Sequence, residues 1–240
     1  MPDPRLCKLA GLLALLALGS ASATARERTP VRQEPSLETQ TTPSDKEALK
    51  VNWLYGSFVP TEVALVPLTS EQRWKLYLRS TYTTWGIYVK SVLFTVHDQV
   101  ANTPQDWGRT AKGFAKRVGT RRAQFVIQNS SSAAGNALLG WESRYDRCRC
   151  DGFWQRTRHA VVRNFVTYGG TEQSSGPQLM PYVSAFGAAV TVATWTPHSN
   201  PAVKGYQGAI TQVFPGVGVN WLAEFAPEIM RTLHLKRGLD

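Results

Sequence analysis

Residues 103–125, TPQDWGRTAKGFAKRVGTRRAQF, decide the reading of this chain as a helical protein. Thr103, Pro104 and Asp106 mark a helix start: a side-chain cap, a proline where the missing N–H costs nothing, and an acid in the first turn. From there Trp107, Ala111, Phe114, Val118 and Phe125 recur along one stripe, while Arg109, Lys112 and Lys116 point the opposite way. The stretch predicts one helix with a buried apolar face and a basic outer face.

Working outward, Thr69 and Gln72 have the spacing of a capping box, with Trp74, Leu76, Tyr77 and Leu78 behind it. The β-branched, polar run at 80–84 predicts a break. A second helix over 85–100 carries Ile87, Val89, Val92, Leu93, Phe94 and Val96; it is too short for a lipid span and reads as a core helix. On the other side, residues 141–151 (WESRYDRCRCD) are an arginine-rich connector. Gly152 then precedes a helix whose inner side is Phe153, Thr157, Ala160, Val161, Asn164 and Phe165. Gly169, Gly170 and the polar run through Pro177 make a loop. Pro181 opens a helix with Ala185, Ala189 and Ala193 four apart, a ridge that admits close helix contact. The last helical stretch starts near Val203, breaks at Pro215-Gly216 and resumes to about Ile229. No alternating run is long enough to build a sheet, so residues 68–240 read as all-α, a single compact bundle of about five to seven helices.

The N-terminal part reads differently. Arg5 and Lys8, an apolar run at 9–18, and small residues at 21–25 form a signal peptide over residues 1–25, too short to span a bilayer permanently. Residues 26–50 are a disordered polar spacer, because they carry too few apolar side chains to offset ordering entropy. Residues 51–67 are an extended apolar segment, with Pro60 and Pro67 excluding helix. Export places the protein in the periplasm, at the outer membrane or outside the cell.

Several blocks occur in a familiar order: residues 111–119 (AKGFAKRVG), Arg144-Tyr145, 152–167 (GFWQRTRHAVVRNFVT), 184–197 (SAFGAAVTVATWTP) and 220–229 (NWLAEFAPEI). Together they resemble an uncharacterised family of exported helical proteins associated with acidobacteria, over residues 68–230. Cys148, Cys150 and Pro215 depart from that pattern. The resemblance implies an exported helical domain and carries no activity or catalytic residue.

Charge gives the strongest functional signal. Twelve bases (Arg109, Lys112, Lys116, Arg117, Arg121, Arg122, Arg144, Arg147, Arg149, Arg156, Arg158 and Arg163) stand against Glu142, Asp146 and Asp151 between residues 109 and 163. The flanks are neutral: nine bases and nine acids at 24–108, four of each at 164–240. Such a block reads as an anion-binding face, and export favours phospholipid or lipopolysaccharide over nucleic acid.

Glu142 and Asp146, four apart, are the candidates for a catalytic acid and base, but the arginines around them favour salt bridges. Cys148 and Cys150 read either as a disulfide, closing too small a loop to add much stability, or as free or intermolecular thiols. Only His159 lies near them, short of the four ligands of a structural zinc site, so no metal is expected. No nucleophile elbow, phosphate loop or zinc-protease motif is present, and no cofactor is implied. The expectation is a non-enzymatic, exported envelope protein that binds an anionic membrane surface or envelope polymer. The alternatives are a hydrolase of envelope polymers and a homo-oligomeric structural or scaffold subunit built on the alanine ridge and residues 51–67.

Overall fold

A computed structural model describes residues 49–52, 54–61, 63, 65–169 and 174–232. The expected signal peptide, the spacer up to residue 48, Trp53 and Gly170 lie outside the described residues. The fold is all-α, with seven α-helices and a few very short strands among the described residues.

The first residues pack earlier than expected. Leu49 is buried with Leu68 and Leu76, so ordered chain begins inside the span read as spacer. Strand β1 (Val51–Asn52) pairs antiparallel with β2 (Gly56–Val59), and β2 pairs in parallel with β3 (Tyr145–Asp146). Strands β1 and β2 thus make a short hairpin against the main body. Its Tyr55 and Phe58 join Tyr145, Ala223 and Ala226 in one apolar cluster.

Helix α1 (Ser70–Leu78) starts at the expected capping box: Thr69 Oγ1 accepts from Gln72 N, and Gln72 Oε1 accepts from Thr69 N. A π-helical turn at Arg79–Thr83 fills the expected break, and α2 (Trp85–Val100) follows. The next helix, α3 (Ala111–Leu139), starts seven residues later than the Thr103 signal implies. Thr110 is its cap, accepting from Gly113 N. Gln105–Trp107 is a separate 3₁₀ turn, which Gly108, at φ +61, disconnects from α3. A left-handed residue cannot continue a right-handed helix, so the proline start serves the short turn instead.

At 29 residues α3 is about 43 Å long and forms the spine. Helices α1 and α2 pack on it, α2 running back antiparallel with Asp98 level with Arg121 and Thr81 level with Asn129. Helix α5 (Met180–Ala193) also lies along α3, with Met180 against Gly135 and Trp195 bonded to Thr120. Between them come α4 (Phe153–Val162) and a hairpin of β4 (Val166–Tyr168) and β5 (Ser175–Pro177).

Helix α6 (Pro201–Thr211) packs on α5, and α7 (Val213–Thr232) packs on α4. The break falls at Gln212 rather than at Pro215. Pro215 sits in the first turn of α7, where its absent N–H has no helical partner to lose.

The alanine ridge of α5 is spent inside the chain. Ala185, Ala188, Ala189 and Ala193 are buried, and α6 approaches so closely that a Cβ on Gly208 would stand 2.8 Å from Ala189 Cβ and 2.9 Å from Ala185 O. The ridge is therefore not the oligomer surface it reads as in sequence. Gly187 of the same helix has open space at its Cβ position. Gly208→Ala is expected to lower stability by about 1–3 kcal/mol through overpacking. Gly187→Ala should raise it by about 0.5–1 kcal/mol through helix propensity; urea unfolding of the pair measures both.

Candidate functional site

The twelve bases do not form one single-signed face. Arg117 is 1% exposed and lies at the heart of the turn between α2 and α3. Its guanidinium donates to Thr103 O (2.8 Å), Gly108 O (2.7 Å), Pro104 O (2.9 Å) and the side chains of Gln99 (2.6 Å) and Asn102 (3.3 Å). Arg121 grips Asp98 with two bonds of 2.7 and 2.8 Å. Arg122 donates to Thr81 O and stacks on Tyr88 at 4.9 Å, with Tyr82 and Phe125 close by.

The second half of the block is likewise occupied. Arg144 pairs with Glu142 and Arg163 with Asp146, and Arg147 donates to Ala223 O and Tyr55 Oη. Arg149 donates to Thr61 O and Val63 O, and Arg156 binds Glu224 and Glu228. Arg109, Lys112, Lys116, Arg149 and Arg158 remain exposed. Five donors in a planar fork let one arginine serve several carbonyls of a turn or loop, as Arg117 and Arg149 do. A sum of charges cannot register that use.

Glu142 and Asp146 are not brought together as an acid and base. Glu142 is fully buried and accepts from Arg144 Nε (3.0 Å) and Nη2 (2.7 Å) and from the backbone N–H groups of Ser143 and Arg144. Asp146 faces Arg163, with His159 Nε2 3.8 Å away. Burial pushes the Asp146 carboxyl above its usual range, outweighing the lowering by Arg163 and His159. Its pairing with Arg163, like that of Glu142 with Arg144, is the salt bridge that the sequence favours.

Glu224, in contrast, escaped the sequence reading. It is 1% exposed on α7 and accepts from Tyr145 Oη (2.7 Å), Cys148 N (3.1 Å) and Arg156 Nε (3.1 Å). Burial and the Glu224 charge raise the Tyr145 pKa far above the phenol range, so this hydroxyl is a fixed donor. The available signal was one acid set between Leu222, Ala223, Phe225 and Ala226, a charge on an apolar face that must find partners.

Helix α2 is inverted. Its inner side consists of Gly86, Ile87, Ser91 and Thr95, all buried. Ser91 and Thr95 return their hydroxyls to Ile87 O (2.8 Å) and Ser91 O (2.7 Å) of their own helix, which satisfies them without a partner helix. The outer side carries Trp85 (76% exposed), Tyr88, Val89, Val92, Leu93 (63%), Val96 and Val100 (71%). These positions follow an i, i+3, i+4, i+7 rhythm, a continuous stripe aimed away from the bundle. The core reading of this helix holds for Ile87 but not for Val89, Val92, Leu93, Phe94 and Val96, which face outward while Gly86, Ser91 and Thr95 complete the inner side. Phe153 and Phe165, expected on the inner side of α4 and just beyond it, are also exposed, while Ala160 and Asn164 are buried.

Cations border the α2 stripe. Arg122 lies over Tyr88 near its start, and Arg109 donates to Val100 O at its end. The helix's one acid, Asp98, is neutralised by Arg121. Its one lysine, Lys90, is drawn toward a cleft of about 350 Å³, where burial lowers its pKa. A larger cleft of about 570 Å³ lies between the 3₁₀ turn and α5–α6. Its acids are answered locally, Asp98 by Arg121 and Asp106 by His198 at 3.3 Å. Among the described residues no helix is long and apolar enough to cross a membrane.

Comparison with protein-family models, with curated proteins and with solved structures finds no match for this chain.

Arg117→Met is expected to destabilise the protein by about 3 kcal/mol or more, since buried carbonyls lose their donor. Exposed Lys112→Gln should stay within about 0.5 kcal/mol, both read by urea unfolding. For Lys90 the folded pKa lies below the unfolded value, so the native state binds fewer protons between the two and stability rises with pH across that window. Lys90→Met should raise stability at neutral pH and remove that alkaline gain, seen as a flatter dependence of the urea midpoint on pH.

Proposed function

We propose that this protein is a non-enzymatic helical protein that docks on anionic membrane surfaces, laying the outer face of α2 into the headgroup region. The observation that carries the reading is the inverted α2, with Trp85, Tyr88, Leu93 and Val100 presented outward. An exposed apolar stripe of this length is costly in water and marks an interaction site. Aromatic residues at its start suit the interface between lipid and water, as does a pair of arginines at its margins. An amphipathic helix of this kind lies in the plane of the surface rather than across it.

Exposed Lys112, Lys116 and Arg158 supply the attraction for anionic lipid that the whole basic block supplies in the sequence reading. The signal-peptide pattern at residues 1–25 supports choosing an envelope membrane as the partner. Insertion of apolar side chains adds a contribution that salt does not screen, which separates this reading from a purely electrostatic one.

Self-association is the second reading. It is favoured by another outward stripe, Val203, Tyr206, Ile210 and Phe214, running from α6 into α7.

Residues 26–240, lacking the expected leader, should co-sediment with phosphatidylglycerol vesicles more strongly than with phosphatidylcholine. Binding should weaken at high salt without vanishing. Leu93→Glu and Val100→Glu should each weaken it by about tenfold or more, the equivalent of roughly 1.4 kcal/mol. Binding unchanged in both variants would sink the docking surface. Sedimentation to a defined oligomer, without vesicle binding, would establish the second reading instead.

A further inference from the structure

We propose that Cys148–Cys150 is a redox-active disulfide that undergoes thiol–disulfide exchange with small thiols. This stands independently of the membrane reading. The two cysteines are bonded across a single intervening residue, Arg149. A loop that small takes almost no conformational freedom from the unfolded chain, so the bond is a poor staple.

The polypeptide around it is held by other means. Tyr145–Asp146 is paired with β2, Arg147 N donates to Val59 O (3.2 Å), and Cys148 N donates to Glu224. Opening the bond therefore leaves the segment in place. Access is provided on two sides: both cysteines line one cleft of about 310 Å³ and another of about 460 Å³. A disulfide with an approach path and no structural duty is the kind that exchanges.

Arginines and acids share the surroundings of the bond: Arg147, Arg149 and Arg156 line the larger cleft with Asp151, Glu224 and Glu228. Arg147, stacked on Phe58 at 4.4 Å, and Arg149 stand on either side of Cys148 in the chain. Arg156 answers Glu224 and Glu228 at the larger cleft, and His159 lines the smaller one beside Asp146. With Glu224 and Glu228 paired to Arg156, the charge of the adjacent Arg149 is the one that would stabilise a cysteine thiolate and make its sulfur a better leaving group.

In the exchange a thiolate RS⁻ attacks one sulfur, the S–S bond breaks, and the departing cysteine leaves as a thiolate that takes a proton from water. A second RS⁻ attacks the mixed disulfide, releasing RSSR and the other cysteine thiol. Two small thiols are oxidised and the protein disulfide receives their electron pair.

The test uses the full chain with Cys7→Ser, equilibrated in glutathione buffers of graded ratio, alkylated and weighed by mass spectrometry. The dithiol fraction should rise smoothly within the range of millimolar glutathione while circular dichroism stays native. Arg149→Gln should shift the half-point by about threefold or more toward the disulfide. Cys148→Ser with Cys150→Ser should melt within about 3 °C of the parent. A bond that stays oxidised at every ratio, an unchanged half-point in Arg149→Gln, or a larger loss of melting temperature in the double variant would overturn the proposal.

Discussion

The guanidinium of Arg117 is the interaction on which the rest of the structure depends. It gathers three backbone carbonyls and two side-chain amides from the turn between α2 and α3, far from solvent. The three carbonyls belong to a stretch with left-handed Asn102 and Gly108, where the 3₁₀ turn serves Pro104 O through Trp107 N and Arg117 serves all three. By closing that turn Arg117 sets the angle at which α2 returns along α3. Arg121–Asp98 and Arg122 over Tyr88 then extend the same arginine-bearing side of α3 up the length of α2. Which side of α2 faces outward follows from this seam.

The seam also explains the distribution of large and small residues. Helices meet here through Gly208 against Ala185 and Ala189, Gly135 against Met180, and Ser91 and Thr95 on the inner side of α2. Close approach of that kind gains dispersion contacts and leaves little room for Leu, Phe or Trp between helices. The large side chains are accordingly displaced outward, on α2, on α4 and along α6–α7. Most interior polar groups are satisfied by arginines and by hydroxyls bonded to their own helices; among the described residues, Arg122 Nη1 and Gln178 Oε1 are buried side-chain atoms without a partner.

A second polar centre holds the C-terminal half together. Glu224 takes Tyr145, Cys148 and Arg156 at once, and so ties α7 to β3 and α4. Buried as it is, the carboxylate is tolerable only with this full set of donors. The disulfide lies directly against this network, which fixes its backbone without relying on the S–S bond.

The sequence by itself determined what depends on local chemistry. The capping box at Thr69 and Gln72, the break before Trp85, the limits of α2, the close-contact alanines of α5 and the all-α class follow from caps, propensity and periodicity, which act within one or two turns. The late start of α3 escaped because Gly108 adopts a left-handed conformation that composition does not announce. Only the tertiary structure decided which stripe of a helix is inside and which charges are free. An apolar stripe and an arginine run look the same in sequence whether they face a partner helix or water. The difference lies in contacts between residues far apart in the chain, such as Arg117 with Gln99 and Glu224 with Tyr145, and no local pattern encodes these.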